Sequence, residues 1–123
     1  MSFPWIEYLH LAENLAETGT HSVSRDAKKR AAISRAYYAA YCLARDKQWG
    51  ADAEPPDGGE SHTVLIRELI QSGGVKGQVG NDLQRLKTQR KRADYMGYFS
   101  DLDQQTSFVL RVATRVVQKL EGI

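Results

Sequence analysis

At 123 residues the chain is long enough to bury a core without disulfide or metal staples and too short for two ordinary domains. Its 17 Lys and Arg against 15 Asp and Glu leave a formal charge of +2, which excludes a strong global field, so any attraction to nucleic acid has to come from local patches. Cys42 is the only cysteine, which excludes an internal disulfide and a cysteine-based zinc site; its apolar helical setting reads as a buried thiol in a reducing cytoplasm.

Pro4 suits a first helical turn, and Trp5, Leu9, Ala12 and Leu15/Ala16 then recur at helical spacing until Gly19, which predicts an amphipathic first helix. Glu7, Glu13 and Glu17 interrupt any apolar run of signal-peptide form, and no later stretch reaches membrane-spanning length, so a soluble protein with no membrane partner is expected. Ser22 or Ser24 can cap the second helix. It carries Ala27, Ala31, Ser34, Tyr38 and Tyr41 on one side and Ile33, Ala36, Tyr37, Ala40 and Ala44 on another, the pattern of a central helix with neighbours on two faces. Its first turns hold Arg25, Lys28, Lys29 and Arg30, which oppose the helix dipole.

Gly50 to Glu60, with Pro55-Pro56 and Gly58-Gly59, reads as a loop. Ser61 then caps a short helix through Leu65, Ile66, Leu69 and Ile70 that Gly73-Gly74 ends. Gly77 and Gly80 predict irregular chain until Asn81, which forms a capping-box pattern with Gln84 and opens a fourth main segment with Leu83, Leu86, Arg90 and Ala93 on its apolar stripe. Ser100 with Asp103 marks the start of the last helix, where Leu102, Val109 and Val116 recur one heptad apart beside Ala113 and Leu120. No alternating stretch suggests a strand. The expected fold is all-α, an up-and-down bundle of four main helices plus a short fifth helix, forming one domain.

The segment Ser34 to Tyr41 is the most informative. Alanines let helices approach closely, while three tyrosine hydroxyls and Arg35 need polar partners if buried. Arg90 and Asp94, one turn apart, can supply them. One reading is a structural network of Arg35, Arg90 and Asp94 with tyrosine hydroxyls; the other leaves an arginine free to hold a phosphate with its planar fork. Arg85, Lys87, Arg90, Lys91 and Arg92 follow one another without an acid, and Tyr95, Tyr98 and Phe99 come next, which fits either an RNA footprint with stacking groups or a solvated basic face. His62 stands at a helix start beside the loop, where an imidazole can move protons if it faces a cleft. His10 and His21 have no metal-ligand spacing, and no phosphate-binding Gly-rich loop is visible, so no metal or cofactor is expected.

Ala32-Ile33-Ser34-Arg35-Ala36-Tyr37-Tyr38-Ala39-Ala40-Tyr41, His62 at a helix start, and Arg90-x-x-Ala93-Asp94-Tyr95 together resemble a HEPN domain, over most of the chain. The resemblance implies a helical bundle, commonly a symmetric homodimer, of the kind found in prokaryotic toxin–antitoxin, antiviral and RNA-processing systems. Active members carry an R-x4-6-H pattern and cut RNA without a metal. Here the position matching that histidine is Tyr95, and a tyrosine, with its ordinary pKa of about 10, is a poor proton shuttle at neutral pH. What the resemblance implies is a metal-independent endoribonuclease using Arg90, Asp94, Tyr95 and His62, with Arg35, Tyr38, Arg85, Lys87, Lys91 and Arg92 as binding residues. The alternative is a non-catalytic dimeric module for RNA, a nucleotide or a protein. A cognate nucleotidyltransferase antitoxin that adenylylates Tyr95 or Tyr98 is the implied partner.

Overall fold

The described residues form five helices: α1 Ile6–Glu17, α2 Ser22–Trp49, α3 Ser61–Ser72, α4 Gly74–Tyr95 and α5 Leu102–Glu121. The computed structural model describes residues 4–17, 22–53 and 61–123, and no strand occurs among the described residues. Gly19, His21 and the Pro55 to Glu60 part of the expected loop lie outside them, as do the side chains of Ser22, Ser24 and Arg25.

The 28 residues of α2 form an axis about 42 Å long. Ala32, Ile33, Ala36, Tyr37, Ala39, Ala40, Tyr41 and Ala44 are all buried, so this helix needs neighbours on more than one side. It has them in α1, α4 and α5, with α3 touching one edge. The small side chains matter because each alanine removes bulk between helix axes while Ile33 and Tyr37 fill the space between them.

Contacts along the chain give the directions. Trp5 meets Arg45 and Tyr8 meets Arg35, so α1 and α2 run antiparallel. Arg30 reaches Gly97 and Tyr38 meets Arg90, so α2 and α4 are antiparallel as well. Asp82 meets Arg115 while Arg92 meets Ser100, which sets α5 against α4. The four long-packed helices α1, α2, α4 and α5 therefore alternate up and down, as the sequence predicts, and α3 is the appended short helix. It lies mainly against α4 and runs alongside α2, where Trp49 Nε1 donates to Glu68 Oε1 at 2.8 Å.

Two helix starts differ from the sequence reading. α4 begins at Gly74, not at Asn81. Gly73 and Gly74 take the positive φ angles of 67° and 57° that reverse the chain, while Gly77 and Gly80 are ordinary helical residues turned toward α3. A Cβ on Gly80 would stand 2.8 Å from Ile70 Cγ1 and 2.9 Å from the Ile70 backbone nitrogen, so close helix packing needs glycine there. α5 begins at Leu102, preceded by Asp101 in the left-handed region at φ 59°, and no side-chain cap closes it. Ser100 does not cap the helix; its carbonyl instead accepts from Arg92 Nη2 at 3.5 Å.

The basic start of α2 opposes its own dipole but serves its neighbours. Lys29 Nζ approaches the Ala16 carbonyl of α1 at 3.5 Å and Asp103 of α5 at 3.7 Å. Arg30 donates to the carbonyls of Ala93 (3.0 Å), Met96 (2.6 Å) and Gly97 (3.1 Å), so one guanidinium closes the exposed end of α4, where the dipole is negative. At the other end of the bundle, buried Asp82 accepts two bonds from Arg115 at 3.1 and 3.2 Å, with Lys119 and Arg85 beside it at 3.8 and 3.9 Å.

Candidate functional site

Antiparallel packing of α2 on α4 brings Ser34 opposite Asp94 and Tyr38 opposite Arg90. Arg90 Nη2 donates to the Tyr38 hydroxyl at 2.7 Å, and Arg90 Nε lies 3.0 Å from Asp94 Oδ2. That second contact is an ion pair only, since the buried Nε–H is not aligned on the carboxylate and finds no acceptor among the described residues. Ser34 Oγ donates to the same Asp94 Oδ2 at 3.4 Å. The guanidinium also lies over two aromatic rings, Tyr38 at 5.3 Å and Tyr95 at 5.6 Å from their centroids.

α3 brings its first turn to the same seam. Tyr37 Oη and His62 Nδ1 are 2.6 Å apart, and the Tyr41 hydroxyl donates to Ser61 Oγ at 3.2 Å. His62 stacks on Tyr41 with centroids 3.8 Å apart and planes 5° from parallel, and it meets the Tyr38 ring edge-on at 5.9 Å. Tyr38 is thus common ground: its hydroxyl holds Arg90 and its ring abuts His62.

Burial sets the protonation of the seam. Tyr37 is held protonated well beyond the ordinary tyrosine range, first by desolvation and then by repulsion from Tyr41, with Arg90 opposing. Desolvation also raises Tyr41, partly offset by its bond to Ser61. Burial pushes the neighbouring Cys42 thiol up from 9.0 to about 11, against the pull of Arg45.

The residues singled out in the sequence separate into those that meet and those that do not. Arg90, Asp94, Tyr95, Tyr38 and His62 form one continuous group around the α2 seam. Arg35 does not join it: this residue is exposed, and its guanidinium lies over the Tyr8 ring of α1 at 5.3 Å, because its position on α2 faces away from α4. Asp94 is therefore reached by Ser34, not by Arg35 or a tyrosine hydroxyl, and the network of Arg35 with Arg90 and Asp94 is not formed.

The basic run disperses around α4. Arg85 is largely exposed near Asp82, Lys87 donates to Thr63 of α3 at 3.1 Å, and Lys91 is exposed. Arg92 packs over Phe99 at 4.2 Å and donates to Gln89. Phe99 is buried, at 8% exposure, so it is a core residue and not a stacking group; Tyr95 and Tyr98, at 74% and 82%, are open to solvent. Sequence reasoning missed Ser61 as a partner of Tyr41 and missed Asp82 altogether, and it read Arg30 only as a cation opposing the α2 dipole, without its carbonyl partners at the end of α4. Asp82 had a signal, since it lies one turn from Val79 and one from Leu86, within the buried face of α4.

Chemically, the group sets the donors of Arg90 beside an acceptor, the Asp94 carboxylate. Arg90 spends one terminal nitrogen on Tyr38, while Nη1 makes no hydrogen bond among the described residues. No cluster of three or more His, Cys, Asp or Glu that could hold a metal ion occurs among the described residues, and no described helix is long and apolar enough to cross a membrane. Comparison with protein families, curated proteins and solved structures found no match.

Proposed function

We propose that the chain is a HEPN-type, RNA-associated module of a prokaryotic toxin–antitoxin or defence system, acting as a homodimer, in which Arg90 and His62 hold an RNA phosphate at the tyrosine seam. What carries the reading is the convergence of Arg90 from α4 and His62 from α3 on a single residue, Tyr38. The two residue types that the HEPN resemblance pairs in one short motif come here from different helices. A guanidinium with an unused terminal nitrogen suits a phosphodiester oxygen.

The exposed Tyr95 at the motif histidine's position favours binding without cleavage. In the catalytic form, a metal-independent endoribonuclease, Arg90 stabilises charge on the phosphate while His62 or Tyr95 moves the proton. The test is RNA binding by fluorescence anisotropy, together with incubation of the same RNA in chelator. The expected result is binding that Arg90→Ala weakens by about tenfold or more, the size of one charge-assisted bond. Equal binding by the variant refutes the site, and cleavage in chelator that is lost in Arg90→Ala establishes the catalytic form. The exposure of Tyr95 and Tyr98 also fits modification by a partner nucleotidyltransferase, which intact mass after co-expression would reveal as an adenylyl adduct.

A further inference from the structure

Between Asp103 and Glu121, α5 carries no acidic residue, and it holds Arg111, Arg115 and Lys119 one turn apart. The three span about 12 Å of the helix. Like charges at this spacing repel, so the row destabilises the helix unless an anion lies against it. The fold supplies one, and only in part. Asp82 of α4, itself buried, accepts from Nε and Nη2 of Arg115 with its two oxygens, while Lys119 and Arg85 stand at 3.8 and 3.9 Å, beyond hydrogen-bond reach. One carboxylate thus faces three cations, and the Arg111 side chain makes neither an ion pair nor a hydrogen bond among the described residues.

The surplus charge is open to solvent. Arg111 is exposed, and Arg115 and Arg85 keep 48% and 61% of their side-chain surface. The double bond to Asp82 fixes the plane of the Arg115 guanidinium and leaves its Nη1 without a hydrogen bond among the described residues. Arg111, Thr114, Arg115 and Gln118 line one open groove of about 390 Å³, whose single acid, Glu13, comes from α1. Hydroxyl and amide groups are thereby set among cations, the mixture that holds phosphate and sugar oxygens without reading base identity. On α4, by contrast, Lys87, Arg90 and Arg92 are engaged with Thr63, Tyr38 and Gln89.

We infer that the outer face of α5, Arg111, Arg115 and Lys119 with Arg85 of α4 beside them, is a second contact for RNA, a strip that holds its phosphate backbone without regard to sequence. The choice of RNA as the polyanion rests on the reading above. The strip belongs to a different helix pair from the seam: Arg90 meets Tyr38 of α2, whereas Asp82 ties α4 to α5.

The salt dependence of RNA binding by the full chain tests the strip. For single strands log K falls against log salt by about 0.7 for each phosphate neutralised, so Arg111→Gln with Lys119→Gln is expected to flatten the slope by about 1.4, alike for homopolymer RNAs of different sequence. Neither side chain makes a hydrogen bond among the described residues, so the double variant keeps the fold, and Arg115 is left in place because its loss would strand the buried Asp82 charge. Lys47→Gln removes the same charge from an exposed position of α2 and should leave the slope unchanged. A double variant with the wild-type slope overturns the inference, and so does a Lys47→Gln protein whose slope falls per charge as far. If Arg90→Ala binds as tightly as wild type while the double variant loses slope, the seam reading fails and the strip stands. A chain that binds no RNA refutes both.

Discussion

Replacing Gly80 with alanine tests whether α3 is held against α4 as closely as the site requires. The new methyl would lie 2.8 Å from Ile70 Cγ1, 2.9 Å from the Ile70 nitrogen and 3.1 Å from Leu69 Cβ. Carbon atoms pack best at about 3.5–4.0 Å, so the overlap is severe, and a clash with backbone cannot be relieved by turning a side chain. α3 has to move. Overpacking of this kind costs about 1–3 kcal/mol, while the better helix propensity of alanine returns about 1 kcal/mol. The net expectation is a loss of about 0–2 kcal/mol. Gly77→Ala is the matched control, because its nearest neighbours, the Ile70 and Leu69 carbonyl oxygens, lie at 3.6 and 3.9 Å. There the propensity gain survives, and the variant should be more stable than the wild type by about 0.5–1 kcal/mol. Urea unfolding followed by circular dichroism reads both as shifts of the midpoint at constant slope. Opposite signs for one substitution made one turn apart are the signature of this packing. A Gly80→Ala protein at least as stable as Gly77→Ala would refute the reasoning.

Arg30→Ala should cost about 1–2 kcal/mol in chemical denaturation and speed amide exchange in the last turn of α4, since three carbonyls lose their donor; Arg30→Lys should recover little, because an ammonium cannot span them. Stability should also fall as pH rises from about 9 toward about 11. Burial raises the Cys42 thiol from 9.0 to about 11, so the unfolded chain releases this proton before the folded one does. The contribution is intact below pH 9, and Cys42→Ala should flatten the slope in that window; an unaltered slope would exclude the thiol as its source.

The parts of the fold that were legible in the sequence are those where one periodicity dominates. The stripe of α5 emerges as the buried Val109, Ala113, Val116 and Leu120, and the two-sided pattern of α2 emerges as a helix with neighbours on several faces. Arg90 was visible because a cation interrupts an apolar stripe. The start of α4 was not, because glycine is a breaker by local propensity and a spacer by tertiary packing, and only contact with α3 decides between the two. The partners of Arg30 are backbone carbonyls 63 to 67 residues away, a pairing with no signature in side-chain identity. Arg35 misled for a related reason: both arginines lie on α2, and which one faces α4 depends on the rotation of that helix about its own axis.

The site is also non-local in sequence. Its bonds join residues 25 apart in Tyr37–His62 and 52 apart in Tyr38–Arg90, so neither α2 nor the α3–α4 hairpin contains it alone. Docking of the hairpin on α2 creates the site, and unfolding that separates them destroys it. A ligand spanning Arg90 and His62 would bind only the docked form, so its binding free energy would add to the stability of the assembled helices. The midpoint of thermal unfolding would then rise with ligand concentration, making the cohesion of the bundle itself a gauge of what the seam holds.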